Sequence, residues 1–222
     1  MSFGKNLQYL RRLSSGMTQE KLAEQLNVSR QTISKWEMDN ALPEMDKAIE
    51  LCKVFGCTLD NLFREELDIR DSEYSSLRTE TVPSFRYIKY AVISRDPESD
   101  AIGKMRAAAK SLGINNPKII GWDFPCLSQE QINVHHMHGY EAAWILPEGV
   151  SPENEPVYEQ APHKYAAIHI DKPFVNPFST IPGAYGTLNE YMRLNGLTHA
   201  GNGVIPCFET DGDSMDVYIA CE

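Results

Sequence analysis

The sequence predicts two domains: an all-α bundle of five short helices, then an α+β domain in which a strand-helix-strand-strand unit occurs twice, with an antiparallel sheet and helices on one face. Three observations lead there. From Phe3 to Phe63 apolar residues recur at helical spacing, while after Pro83 β-branched and aromatic residues gather in strand-length runs. The order strand, helix, strand, strand that begins at Phe85 returns at Tyr165. The 222 residues divide as 1–66 (bundle), 67–82 (linker) and 83–222 (α+β domain).

Leu7, Leu10 and Leu13 form the stripe of the first helix, which Ser14-Ser15-Gly16 breaks. Thr18 caps a second helix through Leu22, Ala23 and Leu26, and Asn27-Val28 is a tight connection. Ser29 caps a third with Ile33 and Trp36 inward. Met45, Ala48, Ile49, Cys52 and Phe55 mark a fourth that stops at Gly56, and Thr58 starts a fifth with Leu59, Leu62 and Phe63 inside. Arg64 to Thr81 is polar and poor in aliphatics, which reads as a linker. Beyond it Phe85–Ile93 reads as strand, and 98–112 as helix with Ile102, Met105, Ala109 and Leu112 inward. Residues 118–124 and the long alternating segment 134–146 read as strands. The second round is strand 165–170, helix 182–194 with Leu188 and Met192 inward, and strands 204–210 and 215–221. Helices on one face leave the opposite sheet face, or the seam between the halves, free to bind a ligand.

The formal net charge of -10 argues against a nucleic-acid partner only when read whole. Residues 1–66 carry 9 Lys/Arg and 10 Asp/Glu, so the acidity belongs almost wholly to the rest. No apolar run reaches the roughly 20 residues of a membrane span, and the start of the chain is no signal sequence, so a soluble cytoplasmic protein without a membrane partner is expected. Five scattered cysteines favour reduced thiols over a disulfide framework or zinc site. In His135-His136-Met137-His138 at most two imidazoles of a strand share a face, so neither a metal nor any other cofactor is expected.

The run Thr18-Gln19-Glu20-Lys21-Leu22-Ala23-Glu24-Gln25-Leu26-Asn27-Val28-Ser29-Arg30-Gln31-Thr32-Ile33-Ser34-Lys35-Trp36-Glu37 resembles the helix-turn-helix of the Cro/lambda-repressor type, or XRE family. The chemistry agrees, because a helix capped by Ser29 presents Arg30, Gln31, Thr32, Ser34 and Lys35 outward. Arg bonds bidentately to guanine and Gln to adenine, and the Thr methyl meets thymine. The resemblance implies that Gln19 and Lys35 contact phosphates and that Arg12 pairs with Glu37 between the first and third helices. The low net charge of residues 1–66 limits non-specific affinity, and a homodimer, which doubles the basic contacts, is expected on a palindromic operator with half-sites about 34–36 Å apart.

Residues 83–222 resemble the GyrI-like domain, the effector-binding domain of AraC-type and MerR-type multidrug regulators. The resemblance rests on Gly121-Trp122-Asp123-Phe124-Pro125, Tyr140-Glu141-Ala142-Ala143-Trp144-Ile145, His163 to Ile170, Pro206-Cys207-Phe208-Glu209 and Asp216-Val217-Tyr218-Ile219. It implies an aromatic cleft with Glu209 at its base, and Trp122, Trp144 and Tyr140 are the expected lining, with Tyr165 and Tyr185 behind them. Thr210 stands where the family has an aromatic, and the loop Asp211-Gly212-Asp213 is short. Aromatic rings around a costly buried carboxylate suit an aromatic or cationic effector. The expected protein is therefore a transcriptional regulator that binds operator DNA and a small-molecule effector, and not an enzyme. The alternatives are a hydrolase with a glutamate general base and a protein-inhibitor module with an acidic surface.

Overall fold

The computed structural model describes residues 3–14, 16–64, 67, 74–124, 127–153 and 155–222. Ser15, Pro125, Cys126 and most of the expected linker before Tyr74 lie outside the described residues. Two compact units result, Met1–Glu73 with Gly186–Thr198, and Tyr74–Tyr185 with His199–Glu222.

In the first unit the helices are α1 (Phe3–Leu13), α2 (Gln19–Gln25), α3 (Arg30–Glu37), α4 (Met45–Phe55) and α5 (Leu59–Phe63). Their ends are written in the sequence. Thr18 accepts from the Lys21 amide, Ser29 from Thr32, and Thr58 forms a reciprocal capping box with Asn61. Gly56 ends α4 at φ 58°, a left-handed conformation that suits glycine. Leu7, Leu10, Leu22, Leu26, Ile33, Trp36, Leu51, Phe55 and Leu62 make the core. Gly4 admits a close approach, since a Cβ there would lie 2.6 Å from the carbonyl oxygens of Trp36 and Glu37. On α4 the buried stripe is Ala48, Leu51 and Phe55, whereas the expected Met45 and Ile49 are exposed. Both sets satisfy helical spacing, and packing against α5 selects one.

In the second unit β1 (Tyr74–Val82), β2 (Phe85–Ser94), α6 (Pro97–Ser111), β3 (Lys118–Asp123), α7 (Gln129–Asn133), β4 (His138–Ile145), β5 (Tyr158–Gln160) and β6 (His163–Ile170) precede α8 (Pro177–Leu194), β7 (Cys207–Thr210) and β8 (Met215–Ala220). The strands form one antiparallel sheet in the order β1-β6-β8-β7-β3-β4-β2-β5. The linker expected over 67–82 is corrected from Tyr74 onward, because Tyr74–Val82 is strand β1 along β6. An edge strand needs a neighbour on one side only, so its polar, half-exposed sequence imitates a linker. The strand expected from Val134 begins at His138, after α7. His135 and His136 precede it, with His136 at φ 52°, so the imidazoles do not share a strand face. Among the described residues no group of three or more His, Cys, Asp or Glu is placed to hold a metal.

Alternation divides the sheet into two apolar faces. Ile119, Tyr140, Ala142, Trp144 and Ile88 meet Ala101, Met105 and Ala109 of α6. On the other face lie Ile120, Trp122, Ala143, Tyr165, Phe208 and Tyr218. The inward stripe of α6 is thus Pro97, Ala101, Met105 and Ala109, and Leu112 is exposed beyond the helix end. Residues Ala184, Leu188, Tyr191 and Met192 of α8 are buried. Its last turns belong to the first unit, where Arg193 donates to the carbonyls of Phe55 (2.8 Å) and Gly56 (2.7 Å) and Asn195 to that of Leu13 (3.0 Å). No helix among the described residues is long and apolar enough to cross a membrane.

Candidate functional site

The outer row of α3 follows from its cap. The Ser29 hydroxyl accepts from the Thr32 amide at 3.1 Å and shares a hydrogen bond with the Thr32 hydroxyl at 2.9 Å. Thr32 therefore presents its methyl more freely than its oxygen. Arg30, Gln31 and Lys35 are exposed, and Ser34 is half-buried. Arg30 Nε lies 2.7 Å from Glu20 Oε1 in a pair of largely exposed side chains, an arrangement that contributes little stability.

Beneath this row Glu37 is 8% exposed and receives three donors: Arg11 Nε (2.5 Å), Arg11 Nη2 (3.0 Å) and Gln19 Nε2 (2.8 Å). One expectation is corrected here. Arg11 takes the role given to Arg12, because it follows Leu7 by four residues and so falls beside the buried stripe, while Arg12 is exposed. The Gln19 amide donates to Glu37, where a buried carboxylate needs every donor in reach.

A second constellation surrounds Glu209. Along β7, Cys207 and Glu209 share one face and Phe208 and Thr210 the other. Glu209 stands opposite Gly121 of β3 in register. The ring of Tyr140 occupies the volume a Gly121 side chain would need. Tyr185 of α8 donates its hydroxyl to Glu209 Oε1 at 2.9 Å, and the Tyr140 hydroxyl, lying over Gly121 beside it, also favours the ionised carboxylate. Burial pushes the Glu209 carboxyl up to about 7, against the pull of the Tyr185 hydrogen bond, with the charges of Asp123 and Glu98 adding to the rise. Partial desolvation likewise holds Glu98 and Asp123 above their ordinary range. Among the described residues, no Lys or Arg forms an ion pair with these three acids. Glu98 also lines a pocket of about 490 Å³ with Asp211, Asp213 and Phe174, and Arg106 braces its rim through Asp211 at 2.7 Å. Burial raises the Cys207 thiol, so it is a poor nucleophile.

Of the expected lining residues, the structure brings Tyr140 to Glu209 and Trp122 and Trp144 elsewhere. Trp122 points to the opposite sheet face, because Gly121 and Asp123 are the β3 residues in phase with Glu209. Trp144 is fully buried in the core under α6, with Nε1 unpartnered. Asp123 and Glu98 are the members that motif reading passed over, and the β3 alternation alone would have exposed Asp123. Replacing Gly121 by alanine drives a methyl into the Tyr140 ring. The expected result is a loss of about 1–3 kcal/mol in thermal denaturation and a Glu209 titration midpoint, read by carboxyl carbon NMR, above that of the parent chain.

A family model described as Helix-turn-helix matches residues 7–62, within the first unit. The HTH-type transcriptional activator BcrR of Enterococcus faecalis is 46% identical over 66 residues, 30% of this chain and 32% of that protein. The chain thus spans about a third of the length of this curated relative. Among solved structures, EcmrR in its DNA complex has a TM-score of 0.49 at 13% identity, covering 96% of this chain and 80% of that one. An integron cassette protein of Vibrio cholerae has a TM-score of 0.42 at 12% identity, covering 68% and 98%. These structural likenesses are too distant to carry a function. The sequence matches are specific to the first unit, which contains a helix-turn-helix domain.

Proposed function

We propose that the chain is a one-component transcriptional regulator that binds palindromic operator DNA as a homodimer and senses a small aromatic or cationic effector, without being an enzyme. The observation that carries the sensing half is Glu209, a half-buried carboxyl held by Tyr185 beside Tyr140, among further acids with no ion-pair partner among the described residues. A cation that enters there exchanges acid-acid repulsion and desolvation for a charge pair. The element order β2-α6-β3-β4, then β6-α8-β7-β8, supports a duplicated GyrI-like domain. The exposed row of α3 supports DNA reading, as does the name of the matched relative, a transcriptional activator. On this reading the protein works in the cytoplasm as a multidrug-type sensor of the XRE class.

On this reading the signal passes along α8, which has residues in both units. Tyr185 of α8 touches Glu209 within the second unit, and Arg193, later in the same helix, holds the end of α4 within the first. A ligand that takes the carboxylate from Tyr185 must prefer one position of α8, since equal affinity for both states would shift nothing. A carboxyl titrating at about 7 also suits a general base, which keeps the hydrolase reading as the second one. The deciding test is a gel-shift and native-mass titration on duplexes selected from a random pool, with and without a lipophilic aromatic cation. Two protomers per selected site and a cation-dependent shift in affinity are expected. One protomer per site, or no selected duplex, overturns the DNA half, and turnover of the bound compound overturns the sensor half.

A further inference from the structure

The end of α4 brings two cysteines together. Gly56 closes the helix in a left-handed conformation, and the Cys57 amide donates back to the Cys52 carbonyl at 3.0 Å, the outer hydrogen bond of a Schellman cap. Side chains at these two positions of the motif commonly touch. The hydrogen bond also limits their separation. With about 2.4 Å from a Cα to its carbonyl oxygen and about 1.5 Å from an amide nitrogen to its Cα, the two Cα atoms lie less than about 7 Å apart, within the reach of a disulfide. Cys52 and Cys57 are both half-buried against the core of the first unit, and both thiols are free. Any two apolar residues would serve the cap contact, but two thiols also carry a chemistry.

A small reagent has a way in. Cys57 lines a cavity of about 310 Å³ in the first unit together with Gly56, Tyr9, Asn61 and Arg193. Burial lifts the Cys57 thiol to about 12, the Cys52 thiol adds to the rise, and the Arg193 charge pulls the other way. Burial raises Cys52 as well, so little thiolate exists at neutral pH and the pair reacts slowly. Such basic thiolates are also poor leaving groups, so a bond once closed between them reopens slowly. We infer that Cys52 and Cys57 form an oxidative modification site, which a small peroxide closes into a disulfide across the cap of α4. One sulfur attacks a peroxide oxygen and becomes a sulfenic acid as water leaves, and the other sulfur displaces that hydroxyl as a second water. Two thiols and one hydrogen peroxide give one disulfide and two waters, the thiols being oxidised and the peroxide reduced. The turn whose Phe55 and Gly56 carbonyls Arg193 holds is then covalently tied.

The site stands apart from the roles given to Glu209 and α3, and its test uses neither. The reduced full chain is treated with hydrogen peroxide, its remaining thiols are alkylated, and material that runs as a single chain on a non-reducing denaturing gel is digested with trypsin. Cleavage after Lys53 separates Cys52, in residues 48–53, from Cys57, in residues 54–64, unless the two are joined. The joined pair of peptides is expected, lighter than their sum by about two hydrogens, and dithiothreitol should split it. Cys57→Ser should yield none. The proposal is overturned if Cys52 and Cys57 are both recovered alkylated, if they are oxidised singly to sulfinic acid, or if they are joined only to other cysteines or to a second chain. The decisive measurement is made on the parent chain, so it holds whether or not the variant folds.

Discussion

Replacing Glu209 by glutamine should weaken a lipophilic aromatic cation about ten- to hundredfold and, at the same time, make the free protein more stable above pH 7. The first effect is the loss of a charged partner in a partly dry site, about 1.5–3 kcal/mol. The second follows from linkage. The carboxyl titrates at about 7 in the folded chain against an ordinary value of 4.5. Between those values the folded state binds more protons than the unfolded one, so this group's contribution to stability falls as pH rises from 4.5 to 7 and stays low above it. Glutamine has no proton to lose, and its advantage at pH 8 should be on the order of 2 kcal/mol. At pH 5 most of that advantage disappears, because the folded wild-type carboxyl is then neutral as well. The cation affinity of the wild type should rise roughly tenfold per pH unit up to about pH 7 and then level off, while that of the variant stays flat. Thermal melts at the two pH values, with cation titrations across the range, read both signs. An equal melting shift at pH 5 and pH 8 would show that Glu209 is not the half-buried acid described.

The bundle was legible because its signals are local. Thr18, Ser29 and Thr58 each cap within three residues, and Gly56 stops α4, so the boundaries follow from short words in the sequence. What local reading could not settle is which of two neighbouring stripes turns inward. Arg11 and Arg12 differ by a rotation of about 100° on α1, and the choice belongs to Glu37, distant in sequence and fixed only once α3 is packed. The same limit applies to the sheet. Tyr140 and Glu209 meet across β3 because its position 121 is a glycine, whereas Trp122, one residue on, is thrown to the far face by the pleat. A motif names residues together, and a strand separates adjacent ones. Strand β1 was missed for a related reason, since its pairing with β6 makes up for apolar content that its sequence lacks.

On the DNA side the largest expected loss comes from the double variant Arg30→Ala/Gln31→Ala. Each bidentate base contact is worth about 1–3 kcal/mol, so the pair should bring a selected duplex close to non-specific affinity while leaving the fold intact, both side chains being exposed. Lys35→Ala should instead weaken all duplexes alike and lower the salt slope by about one. The near-neutral charge of residues 1–66 makes this separation measurable, because the non-specific background that usually hides base readout is small. Glu20 supplies the internal control. It holds Arg30 at 2.7 Å in the free protein, and that exposed pair must open before the guanidinium reaches a guanine. Glu20→Gln removes both the competitor and a negative charge that would lie near the phosphates, so it should bind the selected duplex more tightly than wild type. Added to Arg30→Ala, it should keep only the smaller, sequence-independent part of that gain. If instead it tightens binding equally in both backgrounds, Arg30 does not leave Glu20 for the DNA, and base readout falls to Gln31 and its neighbours.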